Sequence, residues 1–388
     1  MPHPTQPLSS LVTLLNGRAF KPTDWGQVGL PIIRIQNLNG EKGFNYFAGK
    51  VDEKNLVRPG ELLFSWSGSI GSSFGPYEWK GPEAVLNQHI FKVVLREGVE
   101  IDKHYLLHAL RFVTSAIEAK SHGSAGLVHV TKGELERHPI PVPGLSVQLQ
   151  IAQFLNTWDE AIALQTRQLG QLKRRKNAIA QELLLGKKRL IEFQQRTWDT
   201  QQISEVAQHV SQRNSNGASL IVLSCTKYNG LVDSLTYFGR QMYSDDLSTY
   251  KVVPRNTFAY ATNHIEEGSI GYQRAYDQAL ISPMYTVFRT NASEVDDDFL
   301  YHLLKSETYI QVYRRNMSGS IDRRGGLRWN DFSQISIPAI ELDEQRAIAD
   351  VLTTAANEII LYERKLKALR EQKRGLLQQL LTGQILLS

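Results

Sequence analysis

The chain repeats itself, and that duplication limits what it can fold into more than any other feature. Residues 140–190 lie on residues 337–387 at a constant offset of 197 without a gap. The identities include Ile140/Ile337, Pro141/Pro338, Gln148/Gln345, Ile151/Ile348, Ala152/Ala349, Leu155/Leu352, Lys176/Lys373 and Gly186/Gly383. Fainter matches continue upstream in the same order. Leu8-Ser-Ser-Leu11 answers Ile203-Ser-Glu-Val206, and Gly68-Ser-Ile-Gly71 answers Gly268-Ser-Ile-Gly271. Asp102, Tyr105, Leu106 and His108 answer Asp296, Phe299, Leu300 and His302. Drifting offsets mean that loops differ in length while a scaffold is kept, so 388 residues read as one unit of about 195 written twice.

Each unit has two unlike parts. Residues 1–145 and 199–340 are rich in turn formers and hold short β-type runs: Pro31–Gln36, Phe91–Leu95, Leu220–Ser224 and Tyr285–Arg289. Such runs bounded by turn residues predict strands of an irregular sheet. A helical pattern follows late in each copy, at Lys103–Ala119 and Asp297–Arg315, with Asp296-Asp-Asp298 at a helix start, where acids favour the dipole. The second part, residues 146–190 and 341–388, reads as one long helix per copy, opened near Pro143 or Pro338 and closed at Gly186 or Gly383.

Along both long helices the apolar positions alternate steps of four and three. Ile151, Leu155, Trp158, Ile162, Leu169, Leu172 and Lys176 form one seam; Ile348, Leu352, Ile359, Leu366, Leu369 and Lys373 form the other. A strict heptad favours helix pairing over the looser period of a helix lying on a core. Some 43 helical residues would span about 64 Å. The expected architecture is α+β: two irregular α/β domains at opposite ends of an antiparallel two-helix coiled coil, with a pseudo-two-fold internal repeat. Full overlap would set Trp158 against Lys373 and Ala355 against Lys176, so replacing both lysines with leucine is expected to raise the melting temperature.

Familiar chemistry is missing. The chain has no GxxxxGK[ST] loop, no GxGxxG after a strand, and no CxxC or HExxH spacing for a metal. The Gly-Ser-Ile-Gly pieces lack the spacing of a nucleophile elbow and read as tight turns. Ser282-Pro-Met-Tyr285 is a poor echo of an amino-methyltransferase motif without its cofactor loop. His89, His108, His129 and His264 read as isolated surface or hydrogen-bonded residues. No catalytic residue, bound cofactor or metal is expected on this chain. The lone cysteine, Cys225, the lack of a long apolar run and an N-terminus unlike a signal peptide suggest a cytoplasmic protein that does not touch the membrane.

With this order of parts, the chain resembles the specificity subunit of Type I restriction–modification systems. The matching pieces are Ile32-Ile-Arg-Ile-Gln-Asn-Leu38, Pro59-Gly-Glu-Leu-Leu63 and Leu86-Asn-Gln-His-Ile90, with the helix openings Ile140-Pro-Val-Pro…Gln148-Leu-Gln-Ile-Ala152 and Ile337-Pro-Ala-Ile…Glu344-Gln-Arg-Ala-Ile-Ala349. The helix ends Glu182-Leu-Leu-Leu-Gly186 and Gln379-Leu-Leu-Thr-Gly383 fit too. The resemblance implies target-recognition domains at 1–145 and 199–340, each reading one half of a split double-stranded DNA sequence. The helices, at 146–190 and 341–388, would act as a spacing ruler and docking site. Partners would be modification (methyltransferase) subunits carrying S-adenosylmethionine and a restriction (translocase/nuclease) subunit using ATP. Tyr228-Asn-Gly and Asn263-His-Ile in the second copy differ from Asn37-Leu-Asn-Gly and Trp66-Ser-Gly in the first, which implies unlike half-sites.

Arg, Asn and Gln on loops can read base edges while Lys and Arg contact phosphates. The candidates are Arg34, Gln36, Asn37, Asn87 and Gln88 in the first domain. In the second they are Arg213, Asn214, Lys227, Tyr228, Asn263, Arg314, Arg315, Arg323, Arg324 and Arg328. For each, the plain alternative is a solvated loop residue or a turn-forming asparagine. Lys173-Arg-Arg-Lys176 reads equally as a solvated helix face or as a cationic strut near the DNA spacer or an acidic partner. The net charge of +5 equals the excess on residues 148–196 and is poor evidence for nucleic acid by itself. The alternative reading is a coiled-coil interaction scaffold without DNA specificity.

Overall fold

The structure is a computed structural model that describes residues 2–120, 127–318 and 326–387. It divides into two compact units, one of residues 1–166 with 364–388, the other of residues 167–363.

In the first unit the strands Val12–Asn16, Ile90–Leu95, Leu62–Ser65 and Gly75–Glu78 lie side by side, all antiparallel. A second sheet runs Tyr46–Phe47, Leu30–Ile33, Ala84–Leu86, Leu56–Val57, and its central pair is parallel. The second unit repeats both orders. Ala207–Val210, Tyr285–Thr290, Thr257–Ala261 and Ile270–Gln273 make the antiparallel sheet. Gly230–Asp233, Val222–Thr226, Gln278–Ile281 and Lys251–Pro254 make the other, with the same parallel centre. The upstream matches are therefore real equivalences. Leu8–Leu11 and Ile203–Val206 are both short helices feeding the first strand of their sheets. The Gly-Ser-Ile-Gly match is not one. Gly68 lies in the strand Ser67–Ser69, ahead of Gly75–Glu78, whereas Gly268 closes a 3-10 turn and Ile270-Gly271 begins the equivalent strand itself.

The predicted strand Pro31–Gln36 stops early. Pairing ends at Ile33, because the Asn37 Oδ1 accepts from the Arg34 N–H at 3.0 Å and turns Ile35–Leu38 into a short helix. The late helix of the first copy is continuous over Lys103–Lys120; that of the second breaks into Asp297–Leu304 and Glu307–Ser318. At the break the Leu304 carbonyl, left without its helical donor, accepts from the Tyr313 hydroxyl at 2.9 Å. Asp102 and Asp296 each cap such a helix, accepting from Tyr105 N at 2.8 Å and Phe299 N at 2.9 Å.

The long helices run Leu145–Leu184 and Leu342–Leu381, ending sooner than residues 190 and 388. Gly186 and Gly383 adopt φ of 65° and 70° just past the last turn, the left-handed stop that glycine allows. Every seam residue named above is buried or half-buried, from Ile151 and Leu155 to Leu366 and Lys373. In the first unit Ile151 and Leu155 share a core with Leu377 and Leu380; in the second Leu183 and Leu184 share one with Ile348 and Leu352. Early residues of one helix meet late residues of the other, so the pairing inside each unit is antiparallel.

The two lysines of the seam have unlike surroundings. Lys373 forms an ion pair with Asp159, which Arg111 also holds at 2.7 Å. Burial works against the Asp159 carboxylate, yet the two cations together hold its pKa below the ordinary value. The position equivalent to Asp159 in the second copy is Ala356, and Lys176 has no hydrogen bond or ion pair among the described residues. Burial alone lowers its pKa. The paired leucine replacement therefore splits. Lys176→Leu should raise stability, since a half-buried unpaired ammonium is replaced by an apolar side chain, whereas Lys373→Leu should lower it modestly by removing one cation from a half-buried charge network. Ala356→Asp should stabilise by roughly 1 kcal/mol through Lys176 and lose that gain in Lys176→Leu. Urea unfolding of the four variants of this cycle measures the coupling.

A histidine, buried in the first unit and half-buried in the second, joins each late helix to a long helix. His108 Nε2 lies 2.9 Å from Asn156 Oδ1, and His302 Nε2 lies 3.0 Å from Thr353 Oγ1. Burial, reinforced by Arg111 and by Lys176 respectively, pushes both pKa values down to about 4, against about 6.5 in an unfolded chain. Unfolding then takes up protons between those values, so stability should be full above about pH 6.5 and fall as pH drops towards about 4. Of the protons that unfolding takes up near pH 5, these two histidines should account for about two, so His108→Gln and His302→Gln should each reduce the uptake by about one.

Candidate nucleic-acid interface

In the first unit the polar loop residues gather where the parallel strand pair ends. There Ile33 pairs with Leu86, so the next residues, Arg34 and Asn87, leave the sheet together. The Asn87 N–H donates to the Ile33 carbonyl at 3.1 Å, and Arg18 bridges to Asn87 from the other side. Arg34 Nη2 donates to Gln36 Oε1 at 2.7 Å, with its guanidinium 5.4 Å from the Trp25 ring. Gln88 is exposed. The structure thus brings Arg34, Gln36, Asn87 and Gln88 to one edge.

Sequence reasoning missed several residues there. Arg18 lies over the rings of Phe47 and Phe20, at 4.4 and 5.3 Å. Trp66 has His89 at 5.2 Å and His129 at 5.5 Å, ring centre to ring centre, and donates from Nε1 to the Gln88 carbonyl at 3.1 Å. The two histidines are therefore not isolated; they share one indole although 40 residues of sequence separate them. Only a prediction of the strand pairing of Leu127–His129 with Ser67–Ser69 could have found that contact.

In the second unit Lys227 and Tyr228 are exposed at the turn between Val222–Thr226 and Gly230–Asp233, with the Lys227 ammonium 5.5 Å from the Tyr228 ring centre. Asn263 is exposed just past the strand Thr257–Ala261. Arg328 is exposed one residue after Leu327, whose N–H donates to the Thr262 carbonyl at 2.9 Å. Arg213 is exposed and bridges to Lys251. Arg314 and Arg315 sit apart, exposed on the helix Glu307–Ser318, with Arg314 3.8 Å from Glu307. Arg323 and Arg324 lie outside the described residues.

Two candidates are corrected. Asn37 and Asn214 are buried, and their amides hold turns. Asn37 Nδ2 donates to the carbonyls of Gly43 at 2.8 Å and Glu41 at 3.2 Å. Asn214 donates to Ala218 and Leu247 while accepting from Ala218 N at 3.0 Å. Neither has an edge left to offer a base. His264 is also not isolated: its ring nitrogen and the carboxylates of Glu266 and Glu267 lie within 4.8 Å of one another. That small acidic group is partly exposed, although the Glu266 Oε2 atom is itself buried without a hydrogen-bond partner among the described residues.

Residues 5–174 match the family model described as the type I restriction modification DNA specificity domain. The type I restriction enzyme MjaVIII specificity subunit of Methanocaldococcus jannaschii is 23% identical over 360 residues, covering 87% of this chain and 82% of that protein. The EcoBI specificity subunit of Escherichia coli is 29% identical over 152 residues, 39% of this chain and 31% of that one. Among solved structures, the type I restriction–modification S subunit from M. genitalium superposes with a TM-score of 0.56 at 16% identity, covering 97% of this chain and 96% of that one. A chain from a structure on assembly of the type I system gives 0.59 at 13% identity, over 99% and 98%. These two likenesses establish the fold. No helix among the described residues is long and apolar enough to cross a membrane.

Because Asn37 and Asn214 serve turns, Asn37→Ala and Asn214→Ala should each destabilise by about 1–3 kcal/mol, the penalty for orphaning buried backbone partners. Neither should alter a base preference. Thermal melts and a duplex-binding profile of each variant, taken together, separate the two effects.

Proposed function

We propose that this chain is a specificity subunit of a type I restriction–modification system, as its similarities support, and that it recognises a split DNA sequence. Each unit reads one half, and the long helices set the gap and dock methyltransferase subunits. The observation that carries this reading is the contrast between scaffold and edge. Both units keep the same strand orders, the same helix caps and the same helix entry. Beyond the parallel ladder stand Arg34 and Asn87 in one; in the other stand Ser282 and Ser224, the latter still in its strand and paired with Val232. Duplication with divergence at equivalent edges is what two unlike half-sites demand.

In this reading the two long helices form one antiparallel coiled coil with a domain at either end. Chemistry belongs to the partners: S-adenosylmethionine to the methyltransferase subunits, ATP to a restriction subunit. This chain contributes contacts only. Exposed cations such as Lys227, Arg315 and Arg328 position the duplex through phosphates, and base edges are read from the strand ends.

The test is co-expression with the methyltransferase subunits and genome-wide mapping of methylated adenine. A split motif with a constant gap is expected, and replacing residues 1–145 with those of another specificity subunit should change one half of it only. An undivided motif, or a change in both halves, overturns the reading. Binding to random duplexes should weaken steeply with salt; a flat response would favour a protein-binding scaffold.

A further inference from the structure

One turn occupies the same place in both units and carries opposite chemistry. It follows the second parallel strand, Ala84–Leu86 or Gln278–Ile281, and leads into the strand Ile90–Leu95 or Tyr285–Thr290 of the antiparallel sheet. Each turn is closed by the same backbone bond, Ile90 N–H to the Asn87 carbonyl at 3.2 Å and Tyr285 N–H to the Ser282 carbonyl at 3.1 Å. Each is pinned by the residue just after the next strand of that sheet. Trp66 Nε1 donates to the Gln88 carbonyl, and Thr262 Oγ1 donates to the Met284 carbonyl. The central residues are Gln88-His89 in one unit and Pro283-Met284 in the other.

What these residues present differs sharply. The Gln88 Nε2 lies 3.2 Å from His89 Nε2. One amide hydrogen is engaged there, while Oε1 and the second N–H have no partner among the described residues. That free donor and acceptor pair matches the N7 and N6 edge of adenine. Met284 is 64% exposed, an apolar side chain held at a rigid turn tip with no core to enter. An apolar group at such a tip fits the one apolar feature of the major groove, the thymine methyl.

We propose that the centre of this turn determines specificity in both units, Gln88 pairing with an adenine in one half-site and Met284 packing on a thymine methyl in the other. The inference rests on the DNA-reading role proposed above and assigns that role to two residues, one of which, Met284, no polar-residue search would select. Pro283 fixes the backbone before Met284. The Trp66 and Thr262 bonds hold the two tips, so little order is lost when a base is met.

The experiment uses the full chain assembled with its methyltransferase subunits and duplexes carrying the mapped motif. Each thymine of one half-site is replaced in turn by uracil, and each adenine of the other by 7-deazaadenine, which lacks the N7 acceptor. Loss of one thymine methyl should weaken wild-type binding about fourfold, the worth of one buried carbon, and leave Met284→Ala unaffected. Loss of one N7 should weaken wild type several-fold and leave Gln88→Ala unaffected, while Gln88→Ala relaxes a single motif position by about tenfold. Both residues are exposed, so matching melting curves should accompany every variant. If wild type methylates a split motif yet responds to no uracil or 7-deazaadenine replacement, or responds as the variants do, the proposal is overturned. If wild type yields no split motif, it is the underlying reading that fails.

Discussion

A buried glutamine at the first turn of each long helix fixes where the helix starts and what it starts against. Gln148 and Gln345 are almost fully buried. Gln148 Nε2 donates to the Pro143 and Glu100 carbonyls, at 2.8 and 3.1 Å, and its Oε1 accepts from Asp102 N at 2.9 Å. Gln345 does the same with Ile340, Glu294 and Asp296, at 2.7, 3.0 and 2.7 Å. One side chain thus satisfies the approach to the long helix and the approach to the capped helix beside it. An apolar residue there would leave three buried or part-buried backbone groups without that partner, each costing up to about 1–3 kcal/mol where water does not replace it. The angle between a domain's helix and the long helix is therefore set by hydrogen bonds rather than by packing alone, and the same three bonds set it in both units.

From that joint the rest follows in order. The histidines further along the late helices, His108 and His302, extend the same contact, reaching Asn156 and Thr353. The core beneath them is continuous: Tyr105, Leu106 and Leu110 of the late helix share it with Ile151 and Leu155, and Phe299, Leu300 and Leu303 share theirs with Ile348 and Leu352. The linker into the second domain is locked to the same place in a different way. Arg189 holds Glu344 through two hydrogen bonds at 2.6 Å, and Arg196 holds Asp343. The first copy has Val147 and Ser146 at those positions, where no such linker packs. Sequence differences between the copies at the joint thus have a topological cause.

Features with a period or a fixed spacing are legible in the residues alone. The heptad seam, the closing glycines and the caps Asp102 and Asp296 depend on neighbours within about one helical turn, so the residue types announce them. Contacts made across the sheets are not legible in that way. Nothing local says that His89 and His129 meet on Trp66; the Asn37 bond to Arg34 that ends the strand at Ile33 is local, three residues apart, but a run of β-type residues hides it. The two Gly-Ser-Ile-Gly segments show the converse error. Identical letters in similar order fall on different sides of a strand boundary, and only the ladder pairing Tyr260 with Ile270 and Ser65 with Gly75 separates them. The candidate readers divide along the same line. Asn37 and Asn214 look like Asn87 in the sequence, but burial converts the first two into turn supports.

That division explains why a duplicated chain can diverge at its strand ends without losing its fold. A residue such as Asn214 answers several backbone partners in its own unit, and any change there disturbs the backbone. The turn after the parallel strands is held by its own backbone bond and by a donor to a backbone carbonyl, Trp66 in one unit and Thr262 in the other. Neither restraint depends on the side chains at the tip. Glutamine and histidine, or proline and methionine, are equally compatible with the same turn, and both combinations occur. Under the proposed reading, stability and recognition fall to different atoms of adjacent residues. Such a surface can acquire new contacts one side chain at a time, while the buried glutamines keep the geometry in which those contacts are made.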